Sequence, residues 1–323
     1  MIATLIDTDP GIDDALALLL AWGSPELSVE AITTVAGNVP VATGTRNVDR
    51  LLALRRPARA PLVGVGAAAP LARPLSTAQR YHGADGLGDL TDWPPLSEDS
   101  STRGHALELI VETAARHGGA LTVVALGPLT NLALALEADT ARITSVGRLV
   151  VMGGAVDVPG NVTPTAEFNM NVDPEAAARV FEAGLSLDLV PLDATRQARL
   201  TRAQLSDALG HAPGPIADRI AAFTSRAFNV DEGRGIALHD PLAVAVAIDP
   251  TLVEWESVRV AIGGDGETRR VAGAPNCRFA RSVDAQRFRT MFLSRLCNMG
   301  APKWPPTPPT LGRAPGNPGR SSS

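Results

Sequence analysis

The chain predicts an α/β fold: a doubly wound, mostly parallel central sheet flanked by helices. Three observations carry that expectation. Apolar runs such as residues 120–126 show no alternation, as strands buried on both faces do. A helical pattern follows each run. This strand-then-helix order persists through about 190 of the 323 residues, and such alternation calls for right-handed βαβ crossovers.

In order, residues 3–6 read as a short buried strand, Pro10-Gly11 forces a turn, and residues 13–22 read as a helix with acids in its first turn. Residues 29–36 form a second strand running into Gly37-Asn38, followed by a helix over 41–56 and a strand over 61–65. A loop is expected over 67–101, with Tyr81-His82-Gly83-Ala84-Asp85-Gly86-Leu87-Gly88 at its centre; loops of that length are functional or disordered. A helix over 102–117 precedes the strand 120–126, and Gly127-Pro128-Leu129-Thr130-Asn131 turns into the next helix. The strand 148–152 ends in Gly153-Gly154, and a Pro/Asn/Thr loop leads to Glu167-Phe168-Asn169.

Asp173-Pro174-Glu175 opens a helix to Gly184, residues 187–192 form a strand, and 201–228 is helical with a break at Pro213-Gly214-Pro215. His239-Asp240-Pro241 opens an apolar helix to 248; strands over 253–262 and 278–283 and a helix over 284–299 complete the pattern. Residues 1–300 therefore read as one α/β domain. Residues 301–323, rich in Pro, Gly and Ser, read as a disordered tail.

Composition narrows the chemistry. Apolar residues make up 45% of the chain, enough for a sizeable core. A net charge of −5 without a basic cluster argues against a nucleic acid polymer as partner. Lysine occurs once, at Lys303 in the tail, so Schiff-base, pyridoxal and Walker-loop chemistry lack their lysine. Cys277 and Cys297 have no ligand spacing and suggest a reducing cytosol. No basic region precedes Asp7, and the longest apolar helical run, residues 15–22, is well short of the roughly 20 residues of a membrane span. A soluble cytoplasmic protein is expected.

The chemistry gathers around Asp7, Asp9, Asp13 and Asp14, four carboxylates in eight residues. Asp9 hangs at the carboxyl end of a strand, where ligands of open α/β sheets bind. Asp13 and Asp14 sit at a helix N-terminus, whose partial positive charge favours them. Adjacent helical residues point about 100° apart, so those two do different jobs. Carboxylates converging without a neighbouring cation repel one another, unless a hard cation with oxygen ligands neutralises them. Asn38 ends the second strand much as Asp9 ends the first. The loop with Asn161, Glu167, Phe168 and Asn169 offers hydrogen-bonding groups suited to a ribose. Asp240 repeats the Asp-Pro arrangement, and His239 beside it has the pKa range of a general acid.

The stretch from Asp7 to Leu20 resembles the amino-terminal signature of the nucleoside hydrolases, the inosine-uridine preferring N-ribohydrolases, and His239-Asp240-Pro241-Leu242-Ala243-Val244 resembles their second signature. The resemblance implies calcium-dependent cleavage of the N-glycosidic bond of ribonucleosides. It implies Asp9 as the base that activates a cation-polarised water, His239 as the acid beside the leaving base, and Ca2+ held by Asp9, Asp14, Asp240 and the Leu126 carbonyl. Asn161 and Glu167 would hold the 5′-hydroxyl, and Asp13, Asn38 and Asn169 the 2′ and 3′ hydroxyls. Met152 and Phe168 match apolar wall positions, and His82 matches a histidine near the base. A homodimer or homotetramer is likewise implied. Residues 228–238 lack the tyrosine that some members carry, so the preference among bases stays open.

Two other classes compete. Asp7-Thr8-Asp9 after a strand superficially resembles the motif of haloacid-dehalogenase-type phosphatases, with Asp7 as nucleophile and Asp9 as acid/base, but that chemistry expects a lysine inside the fold. A non-catalytic ribonucleoside-binding protein would keep the scaffold and lose Asp9 or His239; both are present.

Overall fold

A computed structural model of the chain describes residues 1–93, 96, 103–230 and 233–297; the expected tail over 301–323 lies outside them. The strands are β1 (Ile2–Thr8), β2 (Leu27–Thr34), β3 (Leu62–Val65), β4 (Gly104–His105), β5 (Leu121–Ala125), β6 (Arg148–Met152), β7 (Leu187–Val190), β8 (Arg199–Leu200), β9 (Ile236–Ala237), β10 (Val253–Val258), β11 (Val260–Ile262), β12 (Thr268–Arg270) and β13 (Cys277–Val283). Nine of them form one sheet in the order β10-β13-β7-β6-β5-β1-β2-β3-β4. Neighbours run parallel except β10 and β13. The expected doubly wound architecture is present.

Strand β1 lies between β2 and β5, so the chain leaves it in opposite directions on its two sides. That reversal opens a crevice beyond the carboxyl end of β1. Every residue of β5 is buried, Thr122 included, which explains why its side chains do not alternate between apolar and polar. Helices cover both faces. Leu16, Leu20, Leu242, Phe288 and Phe292 belong to the core on one side, and Leu109, Leu132, Val180 and Phe181 to the core on the other.

The helix Ile12–Trp22 is buried almost all round, as a helix packed between sheet and neighbouring helices is. It packs against the helix His239–Ile248. Both helices begin at the crevice with acids in the first turn, and their packing brings the two distant motifs together. Among the described residues, no helix is long and apolar enough to cross a membrane.

Several boundaries differ from expectation. The helix expected over 102–117 begins at Ala106, because Gly104 and His105 pair with Gly64 and Val65 of β3. The strand expected over 187–192 stops at Val190, and Pro191 starts the short helix Leu192–Thr195. The strand expected over 253–262 divides at Arg259; β11 leaves the main sheet and pairs with β12. The loop 67–101 holds the helix Gln79–His82, and its last residues, 97–101, lie outside the described residues.

Asp188 of β7, buried, ties four elements. It accepts from Arg148 Nε at 2.7 Å and from Arg278 Nε and Nη2, each at 2.7 Å. Arg148 also donates to the Val246 and Ala247 carbonyls, at 3.1 and 3.3 Å, at the end of the helix His239–Ile248. Removing the carboxylate takes the counter-charge from the mostly buried Arg148 and from the half-exposed Arg278. Asp188→Ala is expected to lower the unfolding free energy by about 3 kcal/mol in urea denaturation; a loss below about 0.5 kcal/mol would mean that the pair behaves as a solvated surface contact.

Candidate active site

Asp9 follows β1 directly and is fully buried. Its Oδ2 accepts from the Asn38 N–H at 2.6 Å, while Oδ1 is buried without a hydrogen-bond partner. Two glycines make room for it. A Cβ on Gly37 would overlap Asp9 Oδ2, and one on Gly127 would lie 2.7 Å from Oδ1; any larger residue at either position has to displace the carboxylate.

Asp14 caps its own helix, Oδ2 accepting from the Gly11 N–H at 2.9 Å. The same oxygen accepts from Asn38 Nδ2 at 3.0 Å, and Oδ1 accepts from Thr8 Oγ1 at 2.5 Å. Asp13, one position earlier, turns outward and is partly exposed on the wall of a cavity of about 340 Å³. Asp240 reaches the same place from the first turn of the helix His239–Ile248.

Carboxylate oxygens of Asp13, Asp14 and Asp240 lie within 4.8 Å of one another. The expected ligands were Asp9, Asp14, Asp240 and the Leu126 carbonyl, so this tight group holds Asp13 in place of Asp9. The Leu126 carbonyl accepts from Asn169 Nδ2 at 2.7 Å and keeps a second lone pair.

Burial and mutual repulsion govern these groups. Burial first, and then the Asp14 charge, push Asp13 up to about 8 and Asp9 well above the usual carboxylate range. Asp240 rises for the same first reason, with Asp13, Asp14 and Asp9 adding to it. The donors are all oxygen and Asp9 Oδ1 has no partner, which fits a hard divalent cation with about six to eight oxygen ligands.

The cavity wall contains the other expected residues: Asn38, His82, Leu126, Met152, Asn161, Glu167, Phe168, Asn169 and His239. Asp9 and Asp14 stand behind that wall. Glu167 caps the helix Phe168–Val172, a turn not foreseen in the loop: Oε1 accepts from the Asn169 N–H at 3.0 Å and Oε2 from Gly154 N–H at 2.9 Å and Met170 N–H at 3.2 Å. Burial nevertheless raises its pKa. Asn161 Oδ1 accepts from the Phe168 N–H at 2.9 Å. Asn169 Nδ2 also donates to the Met152 carbonyl at 3.2 Å.

His82 Nδ1 accepts from the Ile12 N–H at 3.0 Å, which puts its proton on Nε2. Burial pushes its pKa down to about 4, so the ring is neutral at physiological pH. His239 Nδ1 lies 2.7 Å from Thr195 Oγ1.

Asp7 is not part of the cavity. Its Oδ1 accepts from Thr33 Oγ1 at 2.5 Å and Asn131 Nδ2 at 2.7 Å, and burial raises its pKa to about 7. A carboxylate enclosed in this way cannot be the phosphatase nucleophile weighed from the sequence. Tyr81, Ala227, Ile236, Ala237, Arg196 and Arg199 also line the cavity. Only Tyr81 had a signal, its place beside His82 in the glycine-rich loop.

Comparison with known proteins agrees with this geometry. A family model described as inosine-uridine preferring nucleoside hydrolase matches residues 4–290. The pyrimidine-specific ribonucleoside hydrolase RihA of Salmonella typhimurium is 37% identical over 309 residues, 90% of this chain and 97% of that protein. A purine-preferring ribonucleoside hydrolase from Gardnerella vaginalis superimposes with a TM-score of 0.84 at 30% identity, covering 92% of this chain and 98% of that one. A plant nucleoside hydrolase superimposes at 0.83 with 34% identity, covering 91% and 98%.

The raised carboxylates have a consequence for stability. Between about pH 4 and pH 8 the cation-free folded chain keeps protons that the unfolded chain has released, so stability falls as pH rises. In thermal unfolding with chelator, the midpoint is expected to be lower at pH 8 than at pH 6. Calcium should raise it at both, and more at pH 8; a midpoint indifferent to calcium would contradict a cation site.

Proposed function

This chain belongs to the inosine-uridine preferring nucleoside hydrolase family, and on that premise we propose that it is a calcium-dependent hydrolase that cuts ribonucleosides into free base and ribose at the carboxylate-lined cavity. Nucleoside hydrolysis follows from membership; the cation and the residue roles are our reading. What carries that reading is the convergence of three buried carboxylates, Asp9, Asp14 and Asp240, with the partly exposed Asp13, one of them with an unpartnered oxygen, beside a set of amides suited to a triol.

Asp9, Asp14, Asp240 and the Leu126 carbonyl are assigned to the cation, with Asp13 close enough to share it. When bound, calcium offsets the carboxylate repulsion and lowers the pKa of the attacking water. Asp9 would take a proton from that water. The water oxygen bonds to C1′ as the C1′–N bond breaks and its electron pair moves to the base. His239 supplies a proton to the departing base, and exchange with solvent returns both residues to their starting forms. The transition state carries positive charge at the anomeric carbon, which suits a cavity walled by acids.

Asn161 and Glu167 take the 5′-hydroxyl, while Asp13, Asn38 and Asn169 take the 2′ and 3′ hydroxyls. Glu167 and Asn161 are held by backbone N–H groups. Met152 and Phe168 wall the sugar. His82 is assigned to the base as a neutral donor through Nε2. A homodimer or homotetramer is the assembly we expect, and a cytoplasmic setting suits the free thiol of Cys277.

Ribose release from inosine, adenosine, guanosine, uridine and cytidine, with and without chelation, tests the reading. Chelation is expected to abolish release and calcium to restore it; undiminished release in chelator would overturn the cation's role. Asp9→Ala should lower kcat by about 10³-fold while binding survives. Replacing uridine by 2′-deoxyuridine should lower kcat/KM by about 10²-fold or more, and equal rates would remove Asp13 and Asn169 from the 2′-hydroxyl.

A further inference from the structure

The short helix Leu192–Thr195 carries none of the residues assigned a role above, yet it and the next residue contact His239 of the cavity wall and the backbone just before Asn161. Thr195, fully buried, places Oγ1 2.7 Å from His239 Nδ1. The next residue, Arg196, donates from Nη1 to the Pro159 carbonyl and from Nη2 to the Gly160 carbonyl, both at 2.7 Å. Gly160 immediately precedes Asn161. Asp193 on the same helix accepts from the Val156 and Asp157 N–H groups at 3.0 and 2.8 Å. The Leu192 N–H donates to Gly154 O at 2.9 Å. One turn of backbone thus holds the loop 154–160 at five points and also touches His239.

We infer that Thr195 and Arg196 are positioning residues acting on opposite ends of the substrate: Thr195 orients the His239 ring toward the leaving base, and Arg196 fixes the loop that presents Asn161 to the 5′-hydroxyl. The inference rests on the roles given to His239 and Asn161 under the proposed function. An imidazole anchored at Nδ1 has one direction left for Nε2. A hydroxyl either donates or accepts, so the Thr195 contact persists when the ring passes on its Nε2 proton. Valine has the same shape without that contact. Arg196 forms a two-pronged fork on consecutive carbonyls, which lysine cannot reproduce.

The test compares the best ribonucleoside, its 5′-deoxy analogue and p-nitrophenyl β-ribofuranoside, whose leaving group departs without a proton. For Thr195→Val, the ratio of kcat on the nucleoside to kcat on the nitrophenyl riboside should fall at least tenfold. Thr195→Ser should restore it to within about threefold, with unchanged thermal midpoints. Arg196→Lys should raise KM about tenfold for the nucleoside and leave KM for the 5′-deoxy analogue within about twofold. His239→Ala and Asn161→Ala serve as references, since each should show the selectivity of its partner. If the references are selective and Thr195→Val or Arg196→Lys depresses both substrates alike, the residue only packs and its assignment is overturned. If a reference itself is unselective, the role proposed for His239 or Asn161 falls and takes its positioning residue with it.

Discussion

Mutual repulsion among Asp9, Asp13, Asp14 and Asp240 is the constraint on which the rest of this structure depends. Burial first, and then the charge of neighbouring carboxylates, disfavours ionisation of Asp9, Asp13 and Asp240. Local hydrogen bonds answer part of it. Asn38 donates to Asp9 through its backbone and to Asp14 through its side chain, and Gly11 and Thr8 donate to Asp14. These donors still leave Asp9 Oδ1 without a partner. Under the proposed function a divalent cation would supply the remaining positive charge and make this cluster the place where water is activated.

The fold supports this cluster by topology. Asp9 sits where the sheet reverses its winding, and the helices that bring Asp13, Asp14 and Asp240 pack against one another beneath it. The helix carrying Asp240 is capped at its far end by Arg148, itself paired with Asp188 in the sheet. A shift of either helix would move its acids relative to the others. The loop that carries Asn161 and Glu167 is built differently. Glu167 accepts from the Gly154, Asn169 and Met170 N–H groups and Asn161 from the Phe168 N–H, and Arg196 holds the carbonyls of residues 159 and 160 in the same loop.

The parts legible in the sequence are those whose signal is local. Asp9, Pro10, Gly11, Asp13 and Asp14 announce a strand end, a turn and a helix start within a few positions, and each forms as expected. The strand over 148–152 and the helix over 239–248 appear with the expected bounds, because apolar runs with clear breaks mark both. The helix Phe168–Val172 starts inside the loop expected to reach Asn169, and five residues are too few to show a helical period. Contacts between distant segments carried no signal: His82 against the Ile12 N–H, Thr195 against His239, and Arg196 against residues 159 and 160. Asp7 shows the opposite case. Its position in the motif suggests a role at the ligand, while Thr33 and Asn131 hold it inside the sheet.

Calorimetric titration of calcium into the chelator-stripped protein at pH 7, repeated in buffers of different ionisation enthalpy, tests the central claim most directly. If the cation answers the repulsion among raised carboxylates, binding displaces their protons. The expected result is one site per chain with a net release of about one proton or more, lost in Asp14→Asn and Asp240→Asn. Binding at one site without proton release, or no binding to the unaltered chain, would contradict it.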